Sequence, residues 1–245
     1  MEPILERSDT ALDLSVILPV YRNAFTLREI HERIAGVCLP KGVRYEILYV
    51  NDACPEGSGS VLSELERGYP EIRVVSLAQN GGQQRAILAG LKQCRGNRAV
   101  VMDADLQDPP EAIPALLNHL GDGVSAVFAG RQGRYESPAR LMTSRVFKTL
   151  LHLLCGAPKD AGAFVLMDRR MIDRVLAMDA SSPFLVAMIA CSGLPVRSIP
   201  VERAERPDGQ SAYVGGMRLQ VALSALWWVL RWRTGFVRTE PDHLS

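Results

Sequence analysis

No stretch of this 245-residue chain stays apolar for the ~20 residues that a membrane-spanning helix needs, so no transmembrane helix is expected. Residues 1–13 carry Glu2, Glu6, Arg7, Asp9 and Asp13 and lack the apolar core of a signal peptide. Charge of neither sign dominates. The 28 Lys and Arg against 27 Asp and Glu leave a net charge of +1, which offers no electrostatic reason for a nucleic-acid partner. Histidine is scarce, and His31, His119, His152 and His243 form no H-E-x-x-H pair, which disfavours His-based zinc chemistry. Cys38, Cys54, Cys94, Cys155 and Cys191 are odd in number and lack metal-type spacing. They read as reduced, mostly buried thiols of a cytosolic protein. There is no fixed-period repeat and no low-complexity segment. The first strand is not followed by G-x-G-x-x-G, which argues against a dehydrogenase.

What remains is an ordinary globular composition, 47% hydrophobic and 22% charged, with ample material for one large core. Apolar strand-like runs alternate with segments of helical spacing. LSVILPV (14–20) precedes Leu27, Ile30, Ile34 and Val37; strands at 45–50 and 72–77 are separated by a short helix at 60–65; a helix over 83–94 precedes a strand at 99–102. Further strands are expected at 125–129, 162–167 and 196–201, with helices over 139–155, 169–178 and 183–191. This alternation predicts an α/β fold, a mostly parallel sheet flanked by helices. In such sheets ligands bind outside the carboxyl ends of the strands. Pro19–Tyr21, Asp52, Gln79–Asn80 and Asp103–Asp105 should therefore be neighbours in space.

The richest stretch is Val100 to Glu111, VVMDADLQDPPE. Continued as an extended strand, it would set Asp103, Asp105 and Gln107 on one side. These are hard oxygen donors of the kind that bind Mg²⁺ or Mn²⁺ together with phosphate oxygens and water. Asp108 reads as a helix N-cap, Pro109 as the first helical residue and Glu111 as the other half of a capping box. The segment from Met217 to Trp232 holds all three tryptophans, is apolar on nearly every face and is flanked by Arg218, Arg231, Arg233 and Arg238. Such a helix must be buried in the core, in a subunit interface or at a membrane surface. Tryptophan beside arginine favours at least partial membrane-surface contact.

Seven segments, SVILPVYRN (15–23), EILYVNDACPEGS (46–58), NGGQQRAILAGL (80–91), VVMDADLQDPPE (100–111), AGRQGR (129–134), DAGAFVLMDRRMI (160–172) and RPDGQSAY (206–213), carry a resemblance. In this order the chain resembles family 2 glycosyltransferases of GT-A fold. It is most similar to the dolichol-phosphate-mannose-synthase-like, polyprenyl-phosphate branch. The resemblance implies a GT-A domain over 1–213 and a C-terminal Trp-rich helix and tail over 214–245, packed on the domain, on a partner subunit or on the membrane. It implies that Pro19, Tyr21 and Asp52 line the base and ribose site of a UDP- or GDP-sugar, and that Gln79 is also substrate-binding. Asp103 would contact ribose or metal, and Asp103, Asp105 and Gln107 would hold Mg²⁺ or Mn²⁺. Arg131 and Arg134 would meet phosphate, and Arg206 and Ser211 would close over the donor diphosphate. Asp105, Arg131 and Asp160 are the catalytic candidates.

The implied reaction inverts the sugar's anomeric carbon, with a polyprenyl phosphate as acceptor in cell-envelope glycan synthesis. A hydroxyl acceptor, or a degenerate non-catalytic sugar-nucleotide-binding protein, are the alternatives. The implied location is cytoplasmic or peripheral on the inner face of the plasma membrane, with a homo-oligomer allowed. Four departures stand out: Arg22-Asn23-Ala24 replaces Asn-Glu, Asn51-Asp52-Ala53-Cys54 replaces Asp-Asp-Gly-Ser, Val165 replaces an Arg and Ala212 a Lys. The last two remove positive charge on the acceptor side.

Overall fold

The computed structural model describes residues 12–132, 138–178, 181, 183–204 and 215–234, with backbone alone at 131–132, 138–145 and 215–220. Seven strands, β1 (Leu14–Val20), β2 (Tyr45–Asn51), β3 (Ile72–Ser76), β4 (Arg98–Val101), β5 (Ala126–Gln132), β6 (Val165–Asp168) and β7 (Val196–Glu202), form one sheet in the order β3-β2-β1-β4-β6-β5-β7. β6 runs antiparallel to both its neighbours, and the remaining pairings are parallel. The helices are α1 (Leu27–Cys38), α2 (Ser58–Gly68), α3 (Gln83–Gln93), α4 (Ile113–His119), α5 (Pro138–Cys155), α6 (Arg169–Leu176), α7 (Leu185–Cys191) and α8 (Gly215–Arg233). The expected α/β architecture is what is found.

Both faces of the sheet are covered, which is why the central strands are apolar without alternation. Leu14, Val16, Leu18 and Val20 of β1 join Ile30 and Ile34 of α1, Leu62 of α2 and Leu116 of α4 in one core layer. Ile17, on the opposite face, joins Ile87 and Leu91 of α3, Met171 of α6, Met188 of α7 and Trp228 of α8 in the other. Fully burying an aliphatic side chain of this size contributes about 1.5–3 kcal/mol. Gly90 lets α3 lie close to the sheet, because a Cβ there would stand 2.5 Å from Ile17 Cγ2 and 3.0 Å from Val50 Cγ2.

One local conflict is informative. A proline in a central strand loses a ladder hydrogen bond, yet Pro19 sits inside β1. The register explains it. β4 pairs with β1 only from Leu14 to Ile17, so Pro19 lies beyond the last rung on that side and faces β2 through Val50. The two strands part at Ile17 and Val101. β1 is flanked by β2 on one side and β4 on the other, which makes this the point where chain order reverses and a ligand crevice opens.

Candidate active site

The carboxyl ends of β1, β2, β3 and β4 carry four turns. Arg22 (φ 62°), Ala53 (φ 49°), Gly82 (φ 82°) and Leu106 (φ 64°) place one left-handed residue in each. For a residue other than glycine that conformation is uncommon and concentrates at functional sites. The chain thus bends sharply where each strand meets the crevice.

β4 ends at Val101, so Asp103, Asp105 and Gln107 do not lie along an extended strand. This corrects the expected geometry. A turn at Ala104–Asp105 and the left-handed Leu106 fold the segment back on itself. Thr26, itself buried, donates its hydroxyl to the Ala104 carbonyl and holds the turn against the start of α1. The Gln107 amide donates to Asp105 Oδ1 at 3.2 Å, which closes a small loop around that carboxylate.

Asp108 is not the cap it was expected to be. A 3₁₀ turn runs from Pro110 to Ala112, α4 starts at Ile113, and neither has a side-chain cap. The adjacent prolines, Pro109 and Pro110, lack the N–H groups that a capping carboxylate would accept. Asp108 instead turns inward, 1% exposed. Its Oδ2 accepts the Asp103 amide at 3.0 Å and its Oδ1 accepts Arg203 Nε at 2.7 Å. Glu111 leaves the supposed capping box and forks with Arg33 at 2.9 and 2.8 Å. That pairing holds its carboxyl below the usual range.

A chain of polar contacts crosses the edge. Asp52, 3% exposed, accepts the Gly81 and Gly82 amides with its two oxygens at 2.7 and 2.9 Å. The next residue, Gln83, donates its side-chain amide to Asp103 Oδ1. Arg203, just past β7, reaches Asp103 Oδ2 at 3.4 Å as well as Asp108. The Ala204 amide donates to the Gln107 carbonyl at 3.1 Å. Burial opposes the charge on Arg203, but the carboxylates of Asp108 and Asp103 outweigh it and raise its pKa. Gln83 and Arg203 were not among the expected site residues, and Asp108 was expected only as a helix cap. An alternating charge pattern would not reveal them, because their partners lie 20, 5 and 95 residues away.

The other sequence-predicted residues fall as follows. Pro19 is buried in β1, and Tyr21 is half-buried just beyond it, with the Arg22 guanidinium 5.3 Å from its ring centre. Gln79 stands exposed ahead of the glycine turn. Cys54 Sγ accepts the Arg22 amide and the Ser58 hydroxyl, both at 3.1 Å. Burial pushes this thiol up, and those hydrogen bonds bring its pKa to a net lowering. Asp160 precedes β6, whose first residue, Val165, pairs with Val101 at the end of β4, and it lies beside Gly130 of β5. Its Oδ2 accepts the Ser198 hydroxyl at 2.9 Å. A Cβ on Gly130 would fall 2.0 Å from that oxygen, so the carboxylate occupies the space a side chain on β5 would need. Arg131 lies on β5, and its side chain is outside what is described. Arg134, Arg206 and Ser211 lie outside the described residues.

Among the described residues no group of three or more His, Cys, Asp or Glu side chains is arranged to hold a metal ion. The donors at the turn are two carboxylates and one amide, with Asp103 already engaged by Gln83 and Arg203. Such a set does not make a closed structural cage. It fits a hard divalent ion that takes most of its ligands from substrate phosphates and water.

Comparison with known proteins now decides the family. Residues 15–176 match the family described as Glycosyl transferase family 2. The chain belongs to that family. A Bacillus subtilis relative, described as the uncharacterized glycosyltransferase YkcC, is 30% identical over 88% of this chain and 68% of its own length. An undecaprenyl-phosphate 4-deoxy-4-formamido-L-arabinose transferase of an Enterobacter species is 36% identical over 82% of this chain. The family 2 chain spans 62% of that relative's length, and 64% of a Synechocystis relative's. Among solved structures, glucosyl-3-phosphoglycerate synthase from Mycobacterium tuberculosis with Mn²⁺, UDP and glucosyl-3-phosphoglycerate aligns with a TM-score of 0.64 at 16% identity. That alignment covers 95% of this chain and 82% of the other. A mannosyltransferase from Pyrobaculum calidifontis in complex with GDP-Man and Mn²⁺ aligns with a TM-score of 0.56 at 16% identity, over 92% and 76%. Likeness at this identity shows the fold, which is GT-A.

Proposed function

We propose that this family 2 member is a metal-assisted, inverting glycosyltransferase that moves a sugar from a nucleoside-diphosphate sugar to a polyprenyl phosphate. The observation that carries the reading is the acidic turn at the β1–β4 crevice. There Asp103 and Asp105 stand where chain order reverses, beside a glycine turn clamped by Asp52. The Mn²⁺ and nucleotides bound by the structural neighbours and the undecaprenyl-phosphate transferases among the relatives support the same substrates.

In this reading Asp105 and Asp103, with Gln107, hold the divalent ion. That ion would supply Lewis-acid charge to the leaving diphosphate. The chain's own residues do the rest. Asp52 fixes the glycine turn that shapes the base site, and Tyr21 borders it. Arg131, Arg134, Arg206 and Ser211 meet phosphate groups, where guanidinium forks match the oxygen geometry. A phosphate acceptor arrives already ionised and attacks the sugar carbon from the face opposite the departing diphosphate. It needs little help from a base. The Asp160 carboxylate, held by Ser198, orients the acceptor side. A hydroxyl acceptor is the second reading, favoured by that same carboxylate, which could take a proton.

The acceptor would be reached from a membrane surface. Helices α5 and α8 pack together and leave Val146, Leu150 and Leu153 on one and Leu223, Trp227 and Leu230 on the other exposed. Each set repeats at helical spacing, and Arg231 follows the second. No helix among the described residues is long and apolar enough to cross a membrane, so contact would be interfacial.

A thermal-shift panel of UDP- and GDP-sugars with Mn²⁺, followed by transfer assays on polyprenyl phosphate and on hydroxyl acceptors, tests the reading. The true donor at 100-fold its Kd should add about 2.7 kcal/mol of stability, and EDTA should remove the shift. No shift with any sugar nucleotide, or turnover undiminished by EDTA, would overturn it.

A further inference from the structure

Arg203 lies in no segment that carried the family resemblance, yet it is the one cation within the buried acidic turn among the described residues. Its side chain is 12% exposed. The guanidinium reaches two carboxylates at once: Nε and Nη2 go to Asp108 Oδ1, and Nη2 also to Asp103 Oδ2. Asp108 in turn fixes the Asp103 backbone amide. The next residue, Ala204, ties its own amide to the Gln107 carbonyl. The end of β7 therefore holds the turn at Asp103, at Gln107 and at Asp108, the residue that closes it. Asp103 has one oxygen on Gln83 and the other on Arg203, so these two donors determine how its carboxylate plane faces the crevice.

We infer that Arg203 is a positioning residue of the transferase site. By bridging Asp108 and Asp103, it orients the Asp103 carboxylate for the divalent ion and the nucleotide, and keeps the acidic turn folded in their absence. This rests on the proposed transferase reading. Three carboxylates within six residues repel one another, and one planar cation across two of them removes most of that repulsion. Lysine cannot replace it, because a single ammonium lacks the fork that spans both partners.

The test compares wild type, Arg203→Lys, Arg203→Gln and the double variant Asp108→Asn/Arg203→Gln. Calorimetric binding of Mn²⁺ with UDP and with GDP is measured beside the melting temperature. Arg203→Lys should keep its melting temperature within a few degrees and lose about tenfold in Mn²⁺–nucleotide affinity. In turnover it should raise the donor KM more than it lowers kcat. Arg203→Gln takes the guanidinium away from the buried Asp108 carboxylate and should melt early. The double variant removes both charges and should regain the melting temperature without regaining affinity. Two results would overturn the inference: wild-type affinity in Arg203→Lys, or a double variant in which stability and affinity return together, since Arg203 would then serve only to neutralise Asp108. If wild type itself binds neither nucleotide with Mn²⁺, the transferase reading falls, and this inference with it.

Discussion

Along β1 to β4 the carboxyl edge is closed over charge: Asp52 and Asp108 are buried, Asp52 holding two backbone amides and Asp108 one backbone amide and the Arg203 guanidinium. On α5 and α8 the molecule turns apolar surface outward, through Leu153 and Trp227 at 71% and 64% exposure. In the first region the chain itself supplies hydrogen bonds to the buried carboxylates. The second leaves Leu153 and Trp227 largely exposed, beside a buried Trp228. The first region gathers buried charge, and the second presents exposed apolar side chains. The two ask for different experiments.

The sharpest way to break the contrast is Asp105→Ala. It should lower transfer by about 100-fold or more, the scale of losing a group that stabilises developing charge, with circular dichroism and melting temperature retained. Unchanged turnover would remove the acidic turn from the chemistry. Next in size is the pair Trp228→Ala and Trp227→Ala on α8. Trp228 is buried in the core and stacked on Trp232 with ring centres 5.4 Å apart, and its loss should cost about 3–5 kcal/mol in denaturant unfolding. Trp227 is exposed, and its loss should cost under about 0.5 kcal/mol while reducing co-sedimentation with anionic vesicles. If Trp227→Ala instead shifts a dimer to monomer in sedimentation velocity, the exposed face is a subunit interface and not a membrane contact.

Asp52→Asn should lose about 1 kcal/mol, because the side-chain amide can no longer accept with both ends and one of the two glycine hydrogen bonds is lost. Sugar-nucleotide affinity should fall with it. Gly130→Ala probes the opposite half, since the new methyl would displace the Asp160 carboxylate. It should impair acceptor kinetics more than donor binding. The smallest effect separates two thiols. A hydrogen bond from Cys191, aided by the Ala157 amide and the Arg233 charge against the pull of burial, lowers Cys155 to about 7. Burial pushes Cys38 up to about 11. Iodoacetamide should label Cys155 with a half-maximal rate near that lower value and spare Cys38 throughout the neutral range, as read by peptide mass spectrometry.

The strands were legible because their apolar runs are dense and their ends are marked by polar turns, as at Val20–Tyr21 and Asn51–Asp52. The acidic turn was legible as a cluster of oxygen donors but not as shape. Strand periodicity placed Asp103, Asp105 and Gln107 on one line, and the left-handed Leu106 broke it. Asp108 was misassigned for a related reason. Its position ahead of two prolines imitates a helix start, while its partner Arg203 is 95 residues distant. Local pattern carries local structure, and buried ion pairs between remote segments leave no local trace. The C-terminal helix shows the same limit. Its composition said that it must be covered, and only packing shows which face α5 and α7 cover.

The reversed strand β6 has a bearing on how the chain assembles. β1 to β4 neighbour one another without it, whereas β5 and β7 reach the rest of the sheet only through its pairings with β4 and β5. During synthesis the first four strands can associate as soon as they emerge. The rest must wait for residue 165 and beyond, a long-range closure of the kind that slows folding. β6 is the link between the two flanks, and its amides should gain protection later than those of β1 to β4 in pulse-labelled hydrogen exchange.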